Sequence, residues 1–351
     1  MSHTIARTRV GIVAAAVSLF TTFSACTPKE KAAGDSTGAS ASAMQVALVT
    51  SGSVSDQGWN SSAYNGLLAI RDSLGAQISN IQSKSPADYD ENFRQYGAQR
   101  YSIVFGHGFE FQSAAVRVGP QFPNTVYIVT SGRVVAPNVA GVAFAFEQAS
   151  YQAGVLAGAM TKSNIVGMIA GVELPPVKTS FAAFERGAKS VNPKVRLLTA
   201  YIGNWDDASA GKELALTQIA QGADMIFQNA DGAGLGIFQA AKEKKILAFG
   251  ANANQNNIAP EVVVASVVID LPKAMLMIAR EVKAGGFKGR VIDLGVPQDV
   301  VRLEINPSFT ARIPARTIVT IDSIGAALKA GTFHTLDDLL AGADTAIKAK
   351  P

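Results

Sequence analysis

Short, almost uninterrupted apolar runs alternate with amphipathic stretches along most of this chain, and that alternation limits the folds open to it. Val46-Ala47-Leu48-Val49 is the first run, closed by Thr50-Ser51-Gly52-Ser53, and Ala63, Leu67, Leu68 and Leu74 then recur at helical spacing. Runs at 102–105 and 126–129 continue the series. A second series opens at 165–169 and continues at 196–201, 225–227 and 246–249, with helical patterns at 149–160, 179–190, 207–221 and 234–244. A strand that is apolar at every position is buried on both faces, the condition of a parallel sheet covered by helices. The 351 residues suffice for two domains of ordinary size. The pattern therefore predicts two doubly wound α/β lobes.

Ligands of open α/β sheets bind beyond the carboxyl ends of the strands. The expected site is therefore built from the loops 51–60, 106–111, 171–181, 203–207, 229–236 and 250–255. Both tryptophans of the chain fall in these loops. Trp59 lies in Asp56-Gln57-Gly58-Trp59-Asn60 and Trp205 in Gly203-Asn204-Trp205-Asp206-Asp207. A Trp in a polar, Gly-flanked loop has no local core to fill. One from each lobe can stack on a flat ring across a cleft, or each can cover the edge of its own lobe. Closing the lobes would make both contacts at once.

Asp56 and Asn60 flank Trp59 and offer polar groups to orient a heterocycle. Asn60 is equally placed to cap the first helix. Asp206 stands beside Trp205. Asp231-Gly232-Ala233-Gly234-Leu235-Gly236 opens a helix but lacks the G-x-G-x-x-G spacing of a dinucleotide turn. Close approach of backbone to a ligand at a helix N-terminus fits Asp231 and Gly232 better. Phe181 and Phe184 are three apart at a helix start, so one can face the cleft while the other packs. His107 either donates to a ligand or ties its loop.

Composition removes several function classes. The formal charge of +4 includes Arg7 and Arg9, which fall in a segment expected to be removed, and the remaining balance is too near neutral to argue for nucleic acid. The single cysteine, Cys26, excludes an internal disulfide and a Cys-based zinc site. His3, His107 and His334 are far apart, so no metal site and no cofactor are expected. No G-x-S-x-G, P-loop or Cys nucleophile occurs, so no catalytic residue is assigned.

The N-terminus reads as a targeting segment. Arg7 and Arg9 precede an apolar run at 10–20, too short for a permanent span. Phe23-Ser24-Ala25-Cys26 resembles a bacterial lipobox, with Phe23 where Leu is more usual. The resemblance implies a signal peptide over 1–25, cleavage before Cys26 and lipid attachment to its sulfur. Residues 26–43, rich in Ser, Gly, Ala and Thr, read as a flexible tether with a reach of roughly 20–25 Å by random-coil scaling.

At its loops the sequence resembles the basic membrane protein (BMP) family of lipoproteins, the purine nucleoside receptor-like binding proteins of ABC importers. The likeness rests on Asp56-Gln57-Gly58-Trp59-Asn60, the stretch from Ser150 to Gly158, Gly203-Asn204-Trp205-Asp206, Gly222-Ala223-Asp224, Asp231 to Gly236 and Gln255 to Pro260. It implies a type I periplasmic-binding fold with a three-crossing hinge. Lobe one is expected over 44–146 plus 263–287, and lobe two over 147–262 plus 288–345. It also implies a purine ring held between Trp59 and Trp205. The family's ribose-binding Asp and Lys stand here as Asn252 and Ile269, a departure that points to a free base or another flat heterocycle. The implied protein is a monomeric, extracytoplasmic binding protein partnering a membrane permease. A ligand sensor signalling to a membrane receptor is the first alternative, and a nucleoside-processing enzyme the second.

Overall fold

The structure, a computed structural model, describes residues 43–333. The expected signal peptide, Cys26 and almost all of the tether lie outside the described residues. The elements of the first half are β1 (Gln45–Thr50), α1 (Trp59–Leu74), β2 (Gln77–Gln82), α2 (Pro86–Ala98), β3 (Ile103–His107), α3 (Gln112–Val118), β4 (Val126–Thr130), β5 (Val135–Ala136) and β6 (Val139–Phe144). Next come α4 (Phe146–Met160), β7 (Ile165–Ala170), α5 (Pro175–Val191), β8 (Arg196–Tyr201), α6 (Ala208–Ala220), β9 (Met225–Asn229), α7 (Gly234–Lys244) and β10 (Leu247–Asn252). The remainder is β11 (Val263–Ile269), α8 (Leu271–Lys283), β12 (Val291–Leu294), β13 (Val301–Ile305) and α9 (Ala315–Lys329).

Two sheets result among the described residues. The first runs β2-β1-β3-β4-β6-β12, with β5 added to β6, and the second runs β8-β7-β9-β10-β11-β13. Pairing is parallel except for β5 on β6 and β13 on β11. The apolar runs are explained by this arrangement. Val46, Leu48, Ile103, Phe105, Val166 and Phe227 have no exposed surface, because helices cover both sheet faces. Burying each such side chain contributes about 1.5–3 kcal/mol. Helices α4 and α5 pack especially closely: a methyl group on Gly154 would strike the Phe184 carbonyl, and one on Gly187 the Tyr151 carbonyl. Glycine at both positions lets the two backbones touch.

The chain crosses between lobes three times: at Ala145 between β6 and α4, at Asp270 between β11 and α8, and through 295–300 between β12 and β13. The crossings are stitched to one another. The Ala145 N–H donates to the Leu294 carbonyl at 2.8 Å, and Asp270 N–H to the Val300 carbonyl at 2.7 Å. Val296 N–H donates to Gln148 Oε1 at 2.9 Å.

Two segments differ from the expected lobe boundaries. Strand β11, expected in lobe one, pairs with β10 and β13 in the second sheet. Strand β12, expected in lobe two, pairs with β6 in the first. Within 263–287 it is α8 that packs on α1 of lobe one. An apolar strand fits either sheet equally well by pattern, and pairing partners decide.

Candidate functional site

Both sheets aim their carboxyl ends at one cleft with a cavity of about 510 Å³. In each sheet the first strand has the second on one side and the third on the other. This topological switch leaves a crevice between the loops that leave β1 and β3, and likewise β7 and β9. Those loops supply Ser51, Trp59, Glu110, Leu174 and Asp231 to the lining, and later strand ends add Trp205, Asn252 and Ile269. All six loops singled out in the sequence contribute to this lining.

Trp59 opens α1 and is 9% exposed. His107 stacks against its ring at 3.9 Å between centroids, with 22° between planes, and Phe144 meets it edge-on at 6.2 Å. His107 has no exposed surface and lines no part of the cleft. Burial pushes its imidazole down to about 3, so the ring is neutral. Its Nε2–H donates to the Trp59 carbonyl at 3.0 Å, and Nδ1 accepts from Thr130 Oγ1 at 2.9 Å. Of the two roles open to His107, the structure supports the tie. Trp205 is half-buried and rests on the Gly171 backbone, where a methyl group would strike the indole ring.

Asp56, 5% exposed, turns inward to the helix. Its Oδ1 accepts from Gly58 N–H and Ser61 N–H at 3.0 and 2.9 Å, and its Oδ2 from Asn60 N–H and Nδ2–H at 2.8 Å each. Asp56, not Asn60, therefore satisfies the orphan donors at the start of α1, with its charge at the positive end of the helix dipole. Asn60 is buried, and its Oδ1 has no hydrogen-bond partner. A methyl group at Gly52 would lie 2.7 Å from Asn60 Nδ2 and 3.6 Å from Asp206 Oδ1, so this corner brings the lobes together.

The 205 loop and the 231 turn hold each other: Ala233 N–H donates to the Trp205 carbonyl at 2.9 Å. Gly232 faces that carbonyl and the Asp206 Cα at distances a side chain would tolerate, and it lies outside the cavity lining, so the close backbone approach to a ligand expected there is not seen. Asp207 caps α6 through Ala210 N–H at 2.9 Å. Asn252 Nδ2 donates to Asn229 Oδ1 at 3.0 Å and Asp231 Oδ1 at 3.3 Å. Gln57, Ser131, Asp231 and Asn252 all adopt left-handed backbone, with φ of 54°, 56°, 49° and 69°. Such strain concentrates at ligand clamps.

Phe181, expected to touch the ligand, does not line the cleft. It is 3% exposed and packs 5.7 Å from Phe227 and 6.4 Å from Tyr201, in the core of lobe two. Phe184 lies deeper still, stacked on Phe227 at 4.8 Å. The α5 residues that do reach the cleft are Pro175, Pro176, Val177 and Thr179.

Three charged residues of the lining escaped sequence reasoning: Glu110, Arg133 and Glu147. Glu110 stood inside a loop already singled out, whereas Glu147 begins a helix whose apolar pattern masks it. Burial pushes the Glu110 carboxyl up, and raises Glu147 to about 7 against the opposing pull of Arg133. Asp231 is raised well above its ordinary range by burial and by the nearby Asp56, Glu110 and Asp206 carboxylates.

Two α/β lobes, three crossings and a cleft lined from both sets of strand ends define a solute-binding protein of the type I periplasmic architecture. Residues 43–318 match the Bmp family, ABC transporter substrate-binding protein PnrA-like. The chain belongs to that family: it is an ABC transporter substrate-binding protein, of a family of binding proteins rather than enzymes. It is 28% identical over 272 residues to the ABC transporter nucleoside-binding protein BmpA of Lactococcus lactis subsp. cremoris, covering 71% of this chain and 78% of that one. It is 26% identical over 246 residues to the transcriptional activator protein med of Bacillus subtilis, covering 70% and 77%. The fold matches an ABC transporter solute-binding protein from Aeropyrum pernix K1 with a TM-score of 0.77 at 18% identity, over 86% of this chain and 98% of that one. The role implies a small-molecule ligand, a permease partner and an extracytoplasmic location. Among the described residues no helix is long and apolar enough to cross a membrane.

Proposed function

We propose that this protein is an exported lipoprotein, anchored through Cys26, that holds a flat purine-like heterocycle between Trp59 and Trp205 and delivers it to its permease. The observation that carries this reading is that the two indoles, one from each lobe, line the same 510 Å³ cavity. That volume suits a ligand of one to three rings. The printed role of the Lactococcus relative, nucleoside binding, supports the same ligand class. Asn252 and Ile269 line the cleft and themselves bring neither a carboxylate nor an ammonium to a ribose diol, which favours a base over a nucleoside.

A thermal-shift screen with purine bases, nucleosides and flavins tests the ligand class, since a molecule that binds the folded state raises the melting point. Protection by none of them defeats the reading. Cys26→Ser tests the anchor: the variant should move to the soluble fraction, and retention on membranes would reject lipidation. A ligand sensor is the second reading, favoured by the Bacillus relative's role as a transcriptional activator. Deleting the gene should abolish ligand uptake if the protein transports, and leave uptake intact if it senses.

A further inference from the structure

The charge balance of the cleft is one-sided. Its lining holds three carboxyl groups, Glu110, Glu147 and Asp231, against one guanidinium, Arg133. Arg133 is already engaged, with Nη1 2.9 Å from Asp293 Oδ1. None of the ion pairs among the described residues involves Glu110, Glu147, Asp206 or Asp231. Two further carboxylates, Asp56 and Asp206, lie close enough to bear on Asp231.

Hydrogen-bond capacity leans the same way. Asn252 commits its amide N–H groups to Asn229 and Asp231. Ile269 adds no polar atom, and His107 has both ring nitrogens committed to Trp59 and Thr130. The cleft thus offers three carboxyl groups that a positive charge would ionise, walled by aromatic rings whose faces also attract cations. Buried carboxyl groups in this state are satisfied by a partner that brings positive charge.

We infer that the ligand of this cleft is a planar heterocycle carrying a positive charge, seated between the two indoles with its cationic edge toward Asp231 and Glu147. This rests on the flat-ring reading above and narrows it to a charge class. Protons held by Glu147 and Asp231 in the empty cleft leave when the cation enters. The groups facing Asp231 are Asp56, Glu110, Asp206 and Asn252, and those facing Glu147 are Arg133 and Asp293. Only Arg133 opposes protonation by charge.

Titration calorimetry with 9-methyladenine and its N-methylated cation, 1,9-dimethyladeninium, separates charge from shape. The cation should bind at least roughly tenfold tighter, and Glu147→Gln or Asp231→Asn should each remove most of that advantage. Wild-type protein in two buffers of different ionisation enthalpy should show proton release with the cation and none with the neutral ring, a readout that needs no variant to fold. Equal or tighter binding of the neutral ring, as when protonated acids donate to it, overturns the charge assignment and leaves the flat-ring reading standing. Failure of every planar ring, charged or neutral, overturns both.

Discussion

Gln255 of the second lobe donates from Nε2 to the carbonyl of Gln57 in the first, at 3.1 Å. The other end of the same amide is held within the second lobe: Oε1 accepts from Gln228 Nε2 at 2.7 Å and from Ala251 N–H at 3.0 Å. The Gln255 backbone N–H donates to Ser266 Oγ at 3.0 Å. The carbonyl it reaches belongs to a residue in left-handed conformation, immediately before Gly58 and two before Trp59. Gln255 therefore links the closed position of the lobes to the placement of one wall of the clamp.

Gln255→Ala should loosen that closure. Losing one partner leaves the Gln228 amide and the Ala251 N–H unsatisfied, at a cost of about 1–3 kcal/mol in stability. Small-angle scattering of the unliganded variant should show a larger radius than the wild type. An unchanged radius together with unchanged ligand affinity would remove the link between this amide and closure.

The two tryptophans should respond differently to truncation. Each Trp→Ala change should weaken binding of a flat ligand by about 1–3 kcal/mol. Trp59→Ala should also cost about 3–5 kcal/mol of stability, because its ring is buried on His107 and Phe144. Trp205 is only half-buried, so its loss should be felt mainly in affinity. Denaturation and calorimetry on the same two proteins measure both effects. If neither variant binds more weakly, the clamp is wrong.

Glu147 sets a pH dependence with a definite sign. Its folded carboxyl titrates at about 7, above its ordinary 4.5, because burial disfavours the charge. The folded state therefore holds this proton more tightly than the unfolded one, and stability is lost as the pH rises from 4.5 to about 7. Glu147→Gln should leave stability unchanged near pH ~4 and increase it near pH ~8, by up to about 3 kcal/mol, read as a higher melting temperature there. A variant destabilised equally at both pH values would show that Glu147 has another role.

Asn252 and Ile269 offer a gain-of-function test. Asn252→Asp with Ile269→Lys supplies a charged acceptor and a charged donor at two adjoining strand ends. The double variant should bind nucleosides at least roughly tenfold better relative to the matching bases, the worth of about one charged hydrogen bond. An unaltered ratio would mean that the sugar lies elsewhere.

The lobes were legible because a strand buried on both faces must be apolar throughout, and a helix covering it must be amphipathic. The periodic segments from β1 to β10 reflect local chain chemistry, and the six loops that build the cleft follow from the rule that doubly wound sheets bind at their strand ends. Trp59, Trp205, Asp231 and Asn252 were found that way, and all four line the cavity. Residue type and loop position could not tell which way a side chain turns. Asp56 turned to cap α1, His107 slid beneath Trp59, and Phe181 entered the core.

Sequence patterning alone determined the class of fold, the number of lobes and the end of each sheet that carries the site, because burial periodicity is written residue by residue. Tertiary structure alone decided that β11 belongs to lobe two and β12 to lobe one, since an apolar strand satisfies either sheet until its hydrogen-bonding neighbours are present. It also decided that Glu110, Glu147 and Asp231 share one cleft. Their separation along the chain hides that encounter, and only there does burial raise all three acids above their ordinary range.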